Sequence, residues 1–362
     1  MLNALANFVL NVALFFSKTT RDEKTVDPLL TLKMKVATHP IELLVSTSTY
    51  KESIPKALDA LYKAISVHDV NHYPDVLQCR VTSVLHYRHR TKAHERIIVR
   101  YTFSEGGKID VRFASLDRYV DLRAARRKPS TPELTDSSSP QPRYDELRIA
   151  DTIASLGEGN YKLVRELKVP AASALHILDA IIIAKVVGDY AHQYSGLSHM
   201  CMWYATVLFL LLREHAGASA TLREEPFLKR AGHWGRIPLV DPATGRLTLS
   251  SNQNEAAFRN AMEKEYSKGG KTQVEMAKHQ TEMQESFELT KKDSLAILRP
   301  LVTAGLQEEH ARFRTKTEEC RAFLRAAAES KQKDAELAKK DAELAELRAE
   351  LAALRASAPA TA

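Results

Sequence analysis

Three runs between residues 77 and 119 alternate apolar and polar side chains in the manner of β-strands. They span residues 78–87, 96–104 and 108–115, and the second run is rich in β-branched and aromatic residues. A Gly106-Gly107 pair separates the second run from the third, and such a pair is typical of a tight hairpin. The pattern therefore predicts an antiparallel meander over 77–119.

Apolar residues recur at helical spacing in three further segments. Residues 54–67 begin at Ser53-Ile54-Pro55, which resembles a helix start signal. Residues 171–190 and 201–213 are apolar on most faces, so they are expected to form buried helices. Charged residues in the first of these two segments argue against a membrane span.

The tail is also helical in pattern from about residue 252, with interruptions predicted at Gly269-Gly270 and at Pro300. Over residues 331–356, leucines recur with a seven-residue period and charged side chains fill the other faces. The leucines of the repeat are Leu337, Leu344, Leu347, Leu351 and Leu354. This predicts a short coiled coil that binds a second copy or a partner helix; the alternative is a solitary helix with internal ion pairs.

The fold class predicted from these elements is α+β: a small antiparallel sheet with buried helices, followed by a mostly helical tail with a short coiled coil. The predicted divisions are an N-terminal helix and connector (1–40), an α+β part with the meander (41–122), a Pro/Ser-rich linker or loop (123–146), a helical core (147–250) and the helical tail (251–362). Residues 2–16 are apolar apart from asparagines at every fourth position, which predicts an amphipathic helix docked on the core. Attachment of this helix to a membrane surface is the alternative, since it is too short for a span.

Composition narrows the classes of protein. At 362 residues and 44% hydrophobic, the chain can bury a core, and its formal charge of +7 comes without a nucleic-acid-binding motif. Cys79, Cys201 and Cys320 are far apart and have neither zinc-ligand nor disulfide spacing, so we expect a reducing, cytoplasmic location and no metal. No phosphate-binding glycine loop is present in the sequence, and no cofactor is predicted.

The segment with the clearest chemical potential begins the helix predicted at 201–213. A cysteine at a helix N-terminus has a lowered thiol pKa, and a nucleophilic thiolate needs a base within reach. The Cys-x-Trp-aromatic-Ala sequence that starts at Cys201 resembles the cysteine helix of the permuted papain-like thiol peptidases (the PPPDE and lecithin-retinol-acyltransferase-like group). It also resembles an uncharacterised fungal family with a comparable segment.

The resemblance implies that a strand histidine precedes the cysteine in the chain, and His86 in the first strand of the meander matches that position. His233 is the alternative base, in the unpermuted order. Active families usually carry an asparagine just before the cysteine, whereas this chain has Met200, with Met202 after it.

Three functional hypotheses follow. The first is a non-enzymatic interaction or scaffold protein with a degenerate papain-like core, a buried structural Cys201 and a self-associating tail. The second is a thiol hydrolase or acyltransferase that uses Cys201 with His86. The third is a peripheral membrane protein anchored through residues 2–16.

Overall fold

The computed structural model describes residue 44 and residues 49–91, 94–105, 108–120, 141–191, 193–194, 201–234, 237–248 and 294–357. The predicted helix at 2–16, the predicted break at Gly269-Gly270 and most of the predicted linker lie outside these residues. Within the described residues, no helix is both long enough and apolar enough to cross a membrane.

The described strands and helices follow one another in a mixed order along the chain. They are β1 (Tyr50–Ser53), α1 (Ile54–Ala64), α2 (His72–Val76), β2 (Arg80–His89), β3 (Glu95–Glu105), β4 (Lys108–Val120), β5 (Gln141–Ala150), β6 (Tyr161–Lys168), α3 (Ile177–Tyr190), β7 (Gln193–Tyr194), α4 (Cys201–Ala216), β8 (Thr221–Glu224), β9 (His233–Trp234), β10 (Ile237–Pro238) and α5 (Ser294–Ser357). Short 3-10 turns lie at Ala154–Leu156, Glu158–Asn160 and Pro226–Arg230.

The strands form one antiparallel sheet in the order β1-β5-β4-β3-β2-β6-β8, with the short β7 paired to β5 and a separate β9–β10 hairpin. The meander is confirmed, since β2 pairs with β3 and β3 with β4. The β3–β4 hairpin closes at the pair Glu105 and Lys108, on either side of the glycine pair. The α+β fold class is therefore confirmed.

Strand β5 occupies residues that the sequence analysis places partly in a linker. Its pairing with β4 runs from Arg143 to Ala150, and Leu147 and Ile149 are buried in the main core. Pro142 lies at the start of the strand, where a missing backbone N–H is tolerated. The sequence analysis missed this strand because its short apolar alternation comes directly after a proline- and serine-rich segment.

Helices α3 and α4 pack on one face of the sheet and are buried over most of their surfaces, as the nearly continuous apolar sequence predicts. Helix α3 begins later than predicted, at Ile177, because His176 and Asp179 form a reciprocal capping box there. Helix α1 starts at Ile54, within the predicted signal and directly after Ser53. The predicted buried helices are confirmed.

Helix α5 continues through Pro300, so the predicted interruption there is wrong. The proline is the seventh of 64 residues and removes a single backbone hydrogen bond, while Leu298, Val302 and Phe313 are buried in the core as the helix continues. His310 joins the helix to the rest of the fold: its ring nitrogens lie 2.6 Å from Asp179 Oδ1 and 2.9 Å from the Tyr73 hydroxyl. The first part of α5 therefore belongs to the globular domain.

Gly232, just before β9, is a position where only glycine fits. Its φ is +68°, its carbonyl accepts hydrogen bonds from the backbone of Leu239 and Val240, and a Cβ atom there would collide with the Val240 carbonyl. Gly232→Ala is expected to lower the free energy of unfolding by about 3 kcal/mol, from backbone strain and this collision together.

Gly217 provides the control, since its φ is +87° but open space surrounds the position of a Cβ. Gly217→Ala should cost only about 1 kcal/mol in denaturant unfolding, from the left-handed backbone alone. Equal costs for the two substitutions would contradict this interpretation of Gly232.

Candidate functional site

Cys201 is the first residue of α4, and its thiol lies at the end of the helix where backbone N–H groups carry partial positive charge. The side chain is only 2% exposed. It faces the point where β3 begins, since the backbone N–H of Glu95 and the ring of His94 both act on its sulfur. The helix and the sheet thus bring a thiol and an imidazole together.

His94 stands immediately before β3 and is 8% exposed. Its side chain hydrogen-bonds Cys201, and its Nε2 lies 3.3 Å from Asp117 Oδ1. The other Asp117 oxygen accepts a 2.6 Å hydrogen bond from the Ser115 hydroxyl. Cys201, His94 and Asp117 therefore form a connected series of thiol, imidazole and carboxylate.

The register of the β3–β4 hairpin explains how the histidine meets the carboxylate. Ile97 pairs with Leu116, so continuing the register outward brings His94 level with Tyr119 and diagonal to Asp117 on the same face. The rings of His94 and Tyr119 are stacked, with centroids 5.1 Å apart. Tyr161 from β6 meets the histidine ring edge-on. The imidazole is held by aromatic rings on two sides.

The electrostatics favour a charged pair. Burial alone would raise the pKa of the Cys201 thiol, but the His94 charge and hydrogen bond and the Glu95 N–H together hold that pKa below its ordinary value. Burial alone would lower the pKa of His94, yet the neighbouring thiolate, Tyr161 and Asp117 keep it well above its ordinary value. Both pKa shifts favour a thiolate beside an imidazolium over the neutral pair.

Asp117 remains ionised although it is fully buried. Burial raises the pKa of its carboxyl group, and the hydrogen bond from His94 with the nearby charges of Arg96 and Arg148 outweighs that effect and lowers it. The guanidinium of Arg96 stacks on Tyr161, 3.8 Å from the ring centroid, and donates a 2.6 Å hydrogen bond to the Leu156 carbonyl. An ionised carboxylate beside the ring stabilises the imidazolium form of His94.

His86, the histidine proposed from the sequence, does not occupy this position. Its Nδ1 accepts a 3.2 Å hydrogen bond from Arg165, and its Nε2 lies 2.9 Å from a Glu95 oxygen. Burial lowers the pKa of this histidine, so the ring is neutral and donates to Glu95. Both ring nitrogens are thus engaged away from Cys201, and the structure brings His94 rather than His86 to the thiol.

His233, the alternative base, is also engaged elsewhere. Its Nδ1 lies 2.7 Å from the Ala231 carbonyl, and its own carbonyl accepts a 2.6 Å hydrogen bond from Arg88. Met202, which follows the cysteine, has its sulfur 3.6 Å from an Arg88 nitrogen. Met200 lies outside the described residues.

A buried cluster of charged and polar groups centred on Glu95 lies next to the site. Glu95 accepts hydrogen bonds from Arg88 and from the Gly232 N–H, both 2.8 Å, in addition to the one from His86. The side chain of Glu95 is fully buried, and its backbone N–H is the one that acts on Cys201. The cluster therefore fixes the start of β3, where His94 stands.

The described part of the chain contains no group of three or more metal-ligating side chains placed to hold a metal ion. No known protein family, curated protein or solved structure matches the chain. Function is therefore inferred from the geometry of the site.

Proposed function

We propose that the chain is a cysteine hydrolase or acyltransferase in which Cys201 is the nucleophile, His94 the general base and acid, and Asp117 the group that orients the histidine. The observation that supports this most strongly is that one histidine side chain hydrogen-bonds both the thiol at a helix N-terminus and a buried carboxylate. Nucleophile, base and orienting group are the three parts that covalent acyl transfer requires.

In the proposed reaction, the Cys201 thiolate attacks the carbonyl carbon of an amide, ester or thioester and forms a carbon–sulfur bond. The bond to the leaving group breaks as the tetrahedral intermediate collapses, and the imidazolium of His94 gives its proton to the leaving group. Neutral His94 then takes a proton from water or an acceptor nucleophile, which attacks the thioester and releases Cys201. Asp117 stays ionised throughout and stabilises the imidazolium.

Comparison with Cys79 favours this function over a scaffold with a structural cysteine. Burial raises the pKa of the Cys79 thiol to about 12, which is the expected behaviour of an inert core cysteine. Cys201 is equally hidden, yet its thiol pKa is lowered. A purely structural role at position 201 would require neither the charged histidine nor its carboxylate.

The chain order adds support. The histidine precedes the cysteine and stands at the start of the central strand of an antiparallel sheet, and the cysteine begins a buried helix. This is the arrangement expected from a resemblance to permuted papain-like thiol peptidases, with His94 in place of His86. All three cysteines are free thiols, and we propose a reducing compartment such as the cytoplasm for this activity.

The proposal predicts an acyl-enzyme at one cysteine. The low exposure of Cys201 calls for small acyl donors, so the full chain is incubated with p-nitrophenyl acetate and with an acetyl thioester and measured by intact-protein and peptide mass spectrometry. We expect one acetyl group on Cys201, absent in Cys201→Ala and retained in the control Cys320→Ala. Absence of both an adduct on Cys201 and a Cys201-dependent release of p-nitrophenol, or equal acetylation of all three cysteines, would disprove the function.

A further inference from the structure

Helix α5 has two parts with different surroundings. Up to Cys320 it has buried residues that pack on the domain, whereas every described side chain from 321 to 353 is exposed. At 1.5 Å per residue, this second part extends for roughly 50 Å. Helices in proteins gain most of their stability from the packing of an apolar face against another element. A partner is therefore expected for this exposed part of α5.

The apolar face of the exposed part is a row of leucines. Leu337, Leu344, Leu347 and Leu351 are each 50–60% exposed, although most other leucines of the described fold are buried. Leu337, Leu344 and Leu351 share one heptad position, here called a, and Leu347 takes position d. A row of a and d leucines on one side of a helix is the contact face of a coiled coil.

The charged residues beside this row of leucines are placed so that opposite charges would face each other in a pair of identical helices. Glu343 lies at position g and Arg348 at the following e position, which face each other between the strands of a parallel coiled coil. In the sequence, Glu350 and Arg355 occupy the next g and e positions. In an antiparallel pair g would face g, which would oppose glutamate to glutamate.

The beginning of the row is less favourable than its end. Lys340 occupies a d position, and Glu336 would face Asp341 in the parallel arrangement. A single lysine in the core position of a coiled coil lowers stability but restricts register and the number of strands. The contact is therefore strongest from Leu344 onward.

We propose that residues 337–357 of two copies of this chain form a parallel, two-stranded coiled coil, so that the protein is a dimer joined through its C-terminal helices. The inference is independent of the proposed enzyme activity. Dimerisation is measured as the mass of the assembly and enzyme activity as turnover, so either proposal can fail without the other.

Sedimentation equilibrium of the full chain tests the proposal. We expect a dimer, and a monomer for Leu344→Asp. Glu343→Arg and Arg348→Glu alone should each weaken dimerisation by about tenfold, because each replaces attraction with repulsion at two symmetric positions. The double variant should restore it, because the opposite charges face each other again. The control Glu346→Arg lies at the outward c position and should leave the dimer unchanged.

Circular dichroism of each variant checks that α5 remains helical, since Glu343 also lies 4.0 Å from Lys339 within the same helix. A monomeric wild-type chain at micromolar concentration would overturn the proposal. Single variants that weaken the dimer without rescue in the double variant would overturn the parallel arrangement.

Discussion

Replacing His94 with alanine is expected to slow the alkylation of Cys201 by iodoacetamide at neutral pH by about 100-fold. Without the imidazolium, burial is the largest remaining influence on the thiol and raises its pKa, as it does at Cys79. The higher pKa lowers the fraction of thiolate at neutral pH, and the thiolate is the species that reacts, so a loss of about 100-fold in rate is expected. Peptide mass spectrometry after timed alkylation measures the rate at each cysteine separately.

Two controls accompany this measurement. His233→Ala should leave the alkylation rate of Cys201 unchanged, because the side chain of His233 is turned to the Ala231 carbonyl. The rates at Cys79 and Cys320 in His94→Ala should also stay constant, which shows that the fold is intact. If His233→Ala slowed Cys201 and His94→Ala did not, the base would be assigned to the wrong residue.

The substitution Glu95→Ala should lower the free energy of unfolding by about 3–5 kcal/mol, because it leaves buried Arg88 without its carboxylate partner. His86 and the Gly232 N–H lose their acceptor at the same time. Chemical denaturation at neutral pH measures the loss.

Glu225→Ala is the matched control, since Glu225 pairs with an exposed arginine and such surface pairs contribute at most about 1 kcal/mol. A similar loss in the two variants would contradict a supporting role for the buried cluster.

Burial raises the pKa of Glu95, but hydrogen bonds from His86 and Gly232 and the Arg88 charge lower it overall. The contribution of Glu95 should thus be complete above its unfolded pKa of about 4.3 and be lost as the pH falls through the folded value.

Much of the fold is predictable from the sequence because its signals are local. The alternation over residues 77–119 and the glycine pair at the hairpin predict the meander, and continuous apolar runs predict the buried helices α3 and α4. Strand β5 was hidden by the proline-rich residues before it. The continuity of α5 through Pro300 depends on packing against other elements, which the local sequence does not contain.

The proposed nucleophile could be nominated from the sequence, whereas the proposed base could not be found by matching residue types alone. His86 and His94 both lie near the ends of strand-like runs, and alternation does not tell which one reaches a helix N-terminus elsewhere in the chain. A usable signal was present in the hairpin: counting back from the pair Glu105 and Lys108 places His94 diagonal to Asp117. A histidine and an aspartate on one face, near the ends of two paired strands, were the better candidate pair.

The measurement that tests the central claim most directly is a pH titration of thiolate absorbance, taken as the difference between the wild-type chain and Cys201→Ala. With His94 and the Glu95 N–H acting on the sulfur, the thiolate of Cys201 should appear below the ordinary cysteine pKa of about 8.5. The same titration in a His94→Ala background should move its appearance to higher pH. A wild-type thiolate that appears only above 8.5, unaffected by the histidine, would contradict the thiolate–imidazolium pair and with it the proposed enzyme.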